Sequence, residues 1–168
     1  MNEFTRMVEL RAVDARVRHL EAGEAERAAL AERFGLVSIG RLEADIELTA
    51  EGPAVDATGT LIAEIVQSCA VTGDDLPVSI SEPIAFRFVP EGAPAHPDEE
   101  IELDAGELDE IPYEGSSFDL GEAVAESLAL AIDPYATGSN ADALRKEAGL
   151  LDEGSAGPFA ALAALKKD

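Results

Sequence analysis

The sequence predicts an α+β fold, with one main helix covering an antiparallel sheet of about four to six strands that could close toward a barrel. Residues 42–48 alternate strictly between apolar and charged side chains, which is typical of a strand with one buried face. Two further runs of period two follow before Pro90. Residues 119–132 then change to the helical period, so a helix follows the strands along the chain.

Two short strands and one helix are predicted before residue 36. Residues 4–10 alternate weakly, and residues 15–20 are expected to pair back on them as a second short strand. Residues 22–34 are rich in Ala and Glu, and Gly35 follows at the position where a helix C-terminus favours glycine. The sequence therefore predicts a helix over residues 22–34.

The sheet core is predicted over residues 36–89 as an antiparallel meander of three strands. Turn residues at positions 52–53 and 72–75 separate the strands. Gly59 predicts a bend in the second strand. Pro83 cannot donate to a strand ladder, so the third strand is expected to lie at an edge or to carry a bulge there.

An acidic surface loop is predicted over residues 90–110, before a last strand over residues 108–113. Eight of the 13 residues in the stretch 98–110 are carboxylates, and runs of like charge are usually solvated. Residues 1–135 are expected to form a single domain. Residues 136–168 are expected to be a flexible tail with short helical segments, because Gly, Ser, Asn and Ala dominate its start.

The main helix, over residues 119–132, is the most strongly specified element. Asp119 can cap its N-terminus, and Glu122 is expected to reach back and complete a capping box. Pro134 disfavours helical geometry at the preceding residue and so ends the helix. The buried stripe is expected to consist of Leu120, Val124, Leu128, Ala131 and Ile132.

The formal net charge is −23, and it is concentrated in the body of the chain. Residues 42–144 hold 24 acidic side chains and a single basic one, Arg87. Such a surface repels a phosphate backbone and favours a basic protein partner. The alternative is that the acidic charge only keeps the protein soluble and monomeric.

The sequence predicts no enzyme, no cofactor and no metal site. Cys69 has no second cysteine at the spacing of a zinc or redox pair, and its phase predicts a buried core thiol. His19 and His96 are far apart in sequence. No apolar run approaches the roughly 18 to 20 residues of a membrane span, so a cytoplasmic protein is expected.

The C-terminal tail carries a narrow apolar stripe formed by Phe159, Leu162 and Leu165. The segment is too short to be a stable helix in isolation. Docking of this stripe on the protein's own sheet and docking on a partner are both open.

Three segments carry a resemblance to a known family: residues 65–73 (IVQSCAVTG), 82–90 (EPIAFRFVP) and 119–130 (DLGEAVAESLAL). Their order and spacing are similar to the YceD-like family, the large ribosomal RNA subunit accumulation proteins. The ending at residues 158–162 (PFAAL) resembles the alphaproteobacterial branch. Many members carry a Cys-x-x-Cys pair, and this chain departs from that pattern because only Cys69 is present.

The resemblance implies a bacterial cytoplasmic protein that supports accumulation of large-subunit ribosomal RNA through ribosome assembly. Combined with the acidic body, it predicts binding to a basic large-subunit ribosomal protein, with ribosomal protein L32 as the first candidate, or to a pre-ribosomal particle. The candidate contact residues are Asp119, Glu122 and Glu126 on the main helix and Phe159, Leu162 and Leu165 in the tail.

Two other interpretations stay open. The protein could be an acidic interaction module unrelated to ribosomes. It could also bind precursor ribosomal RNA directly, which requires a basic patch. Such a patch could be built only from Arg6, Arg11, Arg16, Arg18, Arg27, Arg33 and Arg41.

Overall fold

The computed structural model describes residues 3–92 and 108–147, and it contains two sheets and three α-helices within those ranges. The elements in chain order are β1 (Met7–Glu9), β2 (Val17–Glu21), α1 (Glu24–Phe34), β3 (Ser38–Glu51), β4 (Ala54–Ser68), β5 (Asp75–Pro90), β6 (Asp109–Tyr113), β7 (Ser117–Asp119), α2 (Leu120–Ala131) and α3 (Ala141–Glu147). A single 3₁₀ turn, Leu10–Ala12, follows β1.

The main sheet has five strands in the order β2-β3-β4-β5-β6, which confirms the α+β prediction. Strands β2 to β5 are antiparallel to their neighbours, as expected for a meander. Strand β6 instead runs parallel to β5, with Phe88 opposite Ile111, so the sheet is mixed. The sheet is open, with β2 and β6 at opposite ends, so of the two forms that the sequence allowed it takes the open one and not the barrel.

The two N-terminal strands do not pair with each other, which corrects the prediction for residues 15–20. Strand β1 pairs with β7 in a separate two-stranded sheet, with Val8 opposite Phe118. Strand β2 pairs with β3, with Leu20 opposite Ala44. In these positions, Val8 of β1 and Leu20 of β2 are both buried in the same core.

The central strands follow the predicted alternation. All four apolar side chains of residues 42–48 are buried on the inner face of the sheet. Pro83 lies opposite Thr60 in an unbroken β4–β5 register, so no bulge is present there. Pairing of β5 with β6 begins only at Phe86, so Pro83 lies on a part of β5 with one partner strand, as the edge prediction requires.

Both long helices pack into one core on the inner face of the sheet. The N-terminus of α1 is held by the Gly23 N–H, which donates to the Glu26 carboxylate at 2.7 Å, and its C-terminus closes at Gly35 with a φ of 66°. Helix α2 buries Leu120, Val124 and Leu128. Its last residue is Ala131, two residues before Asp133, where Pro134 was expected to end the helix. The main helix therefore covers the sheet as predicted.

Several predictions concern residues that lie outside the described ranges. They are most of the acidic loop at residues 90–110, His96, and the tail residues Phe159, Leu162 and Leu165. The described part of the tail contains α3, which buries Ala141 against the body. Within the described residues, no helix is both long and apolar enough to cross a membrane.

We predict that Gly59→Ala destabilises the fold, because a Cβ at this position would overlap the backbone of Asp45 and Ile46 on the neighbouring strand. Overpacking of this kind costs about 1–3 kcal/mol. Urea unfolding followed by circular dichroism measures the loss. Gly40→Ala is the matched strand control, because its Cβ would come no closer than 3.7 Å to the Glu64 carbonyl. Equal stability of the two variants would contradict the steric explanation.

Candidate functional site

The N-terminus of α2 is capped by Asp119, as the sequence predicts. The Asp119 carboxylate accepts a hydrogen bond from the Glu122 backbone N–H at 3.1 Å. The same carboxylate oxygen accepts from the Arg6 backbone N–H at 2.8 Å. Asp119 is therefore held on two sides, and its carboxylate has a structural task at the start of α2.

The N-terminal segment crosses directly over the first turn of α2. The Leu120 N–H donates to the Arg6 carbonyl at 3.0 Å. Gly121 makes this crossing possible, because a Cβ there would overlap the Phe4 carbonyl oxygen. The Arg6 guanidinium then reaches Glu26 on α1 at 2.7 Å. Neither Arg6 nor Gly121 was predicted to have this role, since no local pattern shows that a distant segment crosses the helix.

Glu122 differs from its prediction in two ways. Its carboxylate does not complete a capping box but pairs with Arg33 of α1, at 2.8 and 3.2 Å. Arg33 also binds Glu3 at 2.9 Å, and these partners raise the pKa of Arg33. The Glu122 side chain is only 19% exposed. Glu122 therefore joins α2 to α1 and is not an outward-facing carboxylate.

Glu126 lies one turn further along α2 and is exposed. It lies on the wall of a surface groove between β6 and the start of α2, with a volume of about 320 Å³. Met7, Ile111 and Phe118 contribute apolar surface to this groove, and Glu114 adds a second exposed carboxylate. Sequence reasoning identified Glu126 but missed the groove, because its other wall comes from strands β1, β6 and β7.

All seven arginines proposed for RNA binding have an acceptor within the protein. Arg27 donates to the Ala22 carbonyl at 2.6 Å, and the other six form ion pairs with carboxylates. These ion pairs are Arg6–Glu26, Arg11–Glu9, Arg16–Asp14, Arg18–Asp14, Arg33–Glu122 and Arg41–Glu43. Two of these pairs use carboxylates of the acidic body, Glu43 and Glu122.

Cys69 is buried, as predicted, and its sulfur is an acceptor for backbone N–H groups. The Gly138 N–H donates to Sγ at 3.3 Å and the Thr72 N–H at 3.5 Å. A hydrogen bond with the Thr72 side chain is the main cause that lowers the pKa of the Cys69 thiol to about 6, and the backbone bonds add to it. Cys69 thus joins the β4–β5 turn to the segment that follows α2.

A search of the described residues for metal-ligating side chains gives no candidate centre. In residues 3–92 and 108–147, no three His, Cys, Asp or Glu side chains are grouped so that they could hold a metal ion. His19 pairs with Asp45 at 2.7 Å, and this contact raises the pKa of His19. In the described part of the chain, the candidate features for recognition are exposed carboxylates and the groove bordered by Glu126.

We predict that charge reversal separates the two glutamates of α2. Glu122→Lys places an ammonium beside Arg33 and should lower the free energy of unfolding by about 1–2 kcal/mol, because the pair is partly screened by solvent. Glu126→Lys changes an exposed residue and should stay within about 0.5 kcal/mol of the parent. Chemical denaturation measures both values. Comparable losses would show that the Arg33 contact contributes little.

We also predict that Cys69 titrates below the usual range of a thiol. The lowered pKa means that the folded thiolate contributes stability above the ordinary pKa of about 9, and that this contribution is lost as the pH falls through about 6. Ultraviolet thiolate absorbance of the folded chain should show the low midpoint. Thr72→Val removes the side-chain hydrogen bond and should move the midpoint upward. A midpoint that is the same in folded and denatured protein would contradict the assignment.

Comparison with known proteins gives the chain a family. The family model described as "Large ribosomal RNA subunit accumulation protein YceD" matches residues 57–166, which is nearly two thirds of the sequence. No curated protein and no solved structure gives a significant match. The matched region begins within β4 and includes β5, β6, β7 and α2, so it contains the three segments whose resemblance the sequence shows. The chain belongs to the YceD family of large ribosomal RNA subunit accumulation proteins.

Proposed function

We propose that this protein is a non-enzymatic, cytoplasmic factor that supports accumulation of large-subunit ribosomal RNA by binding a basic large-subunit ribosomal protein during ribosome assembly. Membership of the YceD family supports the role in RNA accumulation. The partner class is argued from charge. The main supporting observation is that the arginines contact acceptors within the protein itself, whereas many carboxylates are exposed to solvent.

The balance of charges on the surface favours a cationic partner. Arg87, the single basic residue of the acidic body, is held by Asp56 at 2.7 Å and by Glu51 at 3.0 Å. Exposed carboxylates occur on helices, strands and turns: Glu21, Glu24, Glu32, Glu47, Glu64, Glu82, Glu110, Glu114 and Glu126. Such a surface attracts a basic protein over long range and speeds its encounter.

Direct binding of ribosomal RNA is disfavoured by the same ion pairs. The Arg6 guanidinium is held by Glu26, and the Arg33 guanidinium is held by Glu3 and Glu122; the two arginine side chains are 36% and 34% exposed. Arg11 and Arg16 are 85% and 88% exposed, but each lies beside a carboxylate. Release of counterions from RNA requires clustered cations that are not already neutralised. The arginines therefore serve the fold more than they serve a phosphate backbone.

Affinity capture with the tagged full-length chain tests the proposal. From a bacterial lysate at about 50 mM salt, the chain should enrich a basic large-subunit ribosomal protein, with L32 the first candidate, or particles of the immature large subunit. Raising the salt to about 200 mM should weaken capture, because exposed charges are screened. Mass spectrometry and RNA sequencing identify what is bound.

Nuclease treatment and arginine substitution are the controls. Capture of the basic protein should survive nuclease, because the proposed contact is between proteins. Loss of all capture after nuclease, or after combined Arg11→Gln and Arg16→Gln substitution, would favour direct RNA binding instead. Recovery of neither ribosomal protein nor particle at low salt would reject the assembly role.

A further inference from the structure

The groove between β6 and α2 combines an apolar floor with acidic walls. We name it the acidic groove and define it by Met7, Ile111, Glu114, Phe118, Glu122 and Glu126. Its volume of about 320 Å³ is suited to one or two side chains. Among the described residues that line it, none is basic.

The floor of the acidic groove is apolar and firmly supported. Phe118 stacks on Phe88 with ring centroids 4.2 Å apart, and both rings belong to the buried core. Ile111 is half-buried above them, and Met7 is 56% exposed at the side. A methionine adapts its shape to different neighbours, so this surface can accept a long aliphatic stem.

The walls supply negative charge where such a stem would end. Glu126 on α2 and Glu114 after β6 are both exposed. The Glu91 carboxyl shares a hydrogen bond with the Glu114 side chain, and this bond together with the repulsion between the two groups raises the pKa of Glu91. An ammonium or guanidinium group arriving there relieves this repulsion. The groove thus offers apolar contact and charge to the same side chain.

Two other acidic surfaces in the described part of the chain lack this combination. On the outer face of the sheet, Glu43 is paired with Arg41 and Asp45 with His19, so each of these carboxylates already has a partner. A second groove lies between α1 and the start of β3, but it contains Arg27 beside its glutamates. Neither surface joins an apolar floor to walls without a cation.

We propose that the acidic groove is the place where an extended basic segment of the partner inserts a lysine or arginine side chain. The stem lies on Met7, Ile111 and Phe118, and the cation is bound by Glu114 and Glu126. This inference rests on the proposed function, because it takes the partner to be a basic protein. It assigns the attraction between opposite charges to one defined place on the protein surface.

Binding of acetylated hexalysine amide to the full chain tests the location directly. In titrations followed by nuclear magnetic resonance, the amide signals of Met7, Ile111, Ala123 and Glu126 should shift most. A Gly-Ser peptide of equal length should cause no shift. Shifts spread evenly over the exposed carboxylates, or largest on strand β3, would overturn the proposal.

Paired charge reversals provide the functional test. The double variant Glu114→Lys with Glu126→Lys should lower hexalysine affinity and capture of the basic ribosomal protein at least tenfold. The control is Glu32→Lys with Glu47→Lys, which has the same net charge as the test variant. Like the test variant, it changes one helical position and one strand or turn position, and all four residues are exposed. This control pair should lower affinity less than threefold. Equal losses of affinity in both double variants would overturn the proposal, because binding would then depend on overall negative charge and not on the groove.

The apolar floor has its own variant. Met7→Ser leaves the charge unchanged and should weaken hexalysine binding about threefold, because the lysine stem loses apolar contact. An unchanged affinity would reject insertion into the groove. Failure of the groove and failure of the assembly role give different results. Capture that persists in the Glu114 and Glu126 double variant rejects the groove alone, whereas no capture by the parent chain rejects the assembly role.

Discussion

The crossing of residues 4–6 over the first turn of α2 is the contact on which the rest of the structure depends. It joins the N-terminal segment to the start of α2 through two hydrogen bonds, from the Leu120 N–H to the Arg6 carbonyl and from the Arg6 backbone N–H to the Asp119 carboxylate. The Arg6 side chain extends the link to Glu26 on α1, and Glu122 pairs with Arg33 on the same helix. Both helices are thereby fixed over one face of the sheet, and neither could shift without breaking the crossing.

This arrangement gives a physical meaning to the segment that most resembles the family. In the order Asp-Leu-Gly-Glu, the first residue caps α2, the second enters the core, the third leaves room for the Phe4 carbonyl and the fourth binds α1. The motif is therefore largely structural. Glu126 is different, because it is exposed and borders the acidic groove. In the proposed function, recognition of the partner therefore falls to residues that surround the motif more than to the motif itself.

Local signals in the sequence were sufficient for the elements but not for all of their pairings. The cap at Asp119, the buried stripe of α2 and the alternation over residues 42–48 each follow from periodicity or hydrogen bonding within a few residues. Strands β1 and β7 have three residues each, which is too short to show a period. The parallel direction of β6 depends on the long connection after β5, and composition does not encode direction. The acidic groove was missed for the same reason, since the wall opposite α2 comes from β1, β6 and β7.

The charge pattern connects stability with binding. Exposed carboxylates repel one another and weaken the compact state, while the ion pairs of Arg33 and Arg87 offset this only locally. A basic partner that binds the folded chain removes part of the repulsion and stabilises the fold by mass action. Salt therefore acts in opposite directions on the two quantities. It screens repulsion and stabilises the free protein, but it also screens attraction and weakens the complex. In the proposed function, salt therefore stabilises the free protein and also promotes its release from the basic partner.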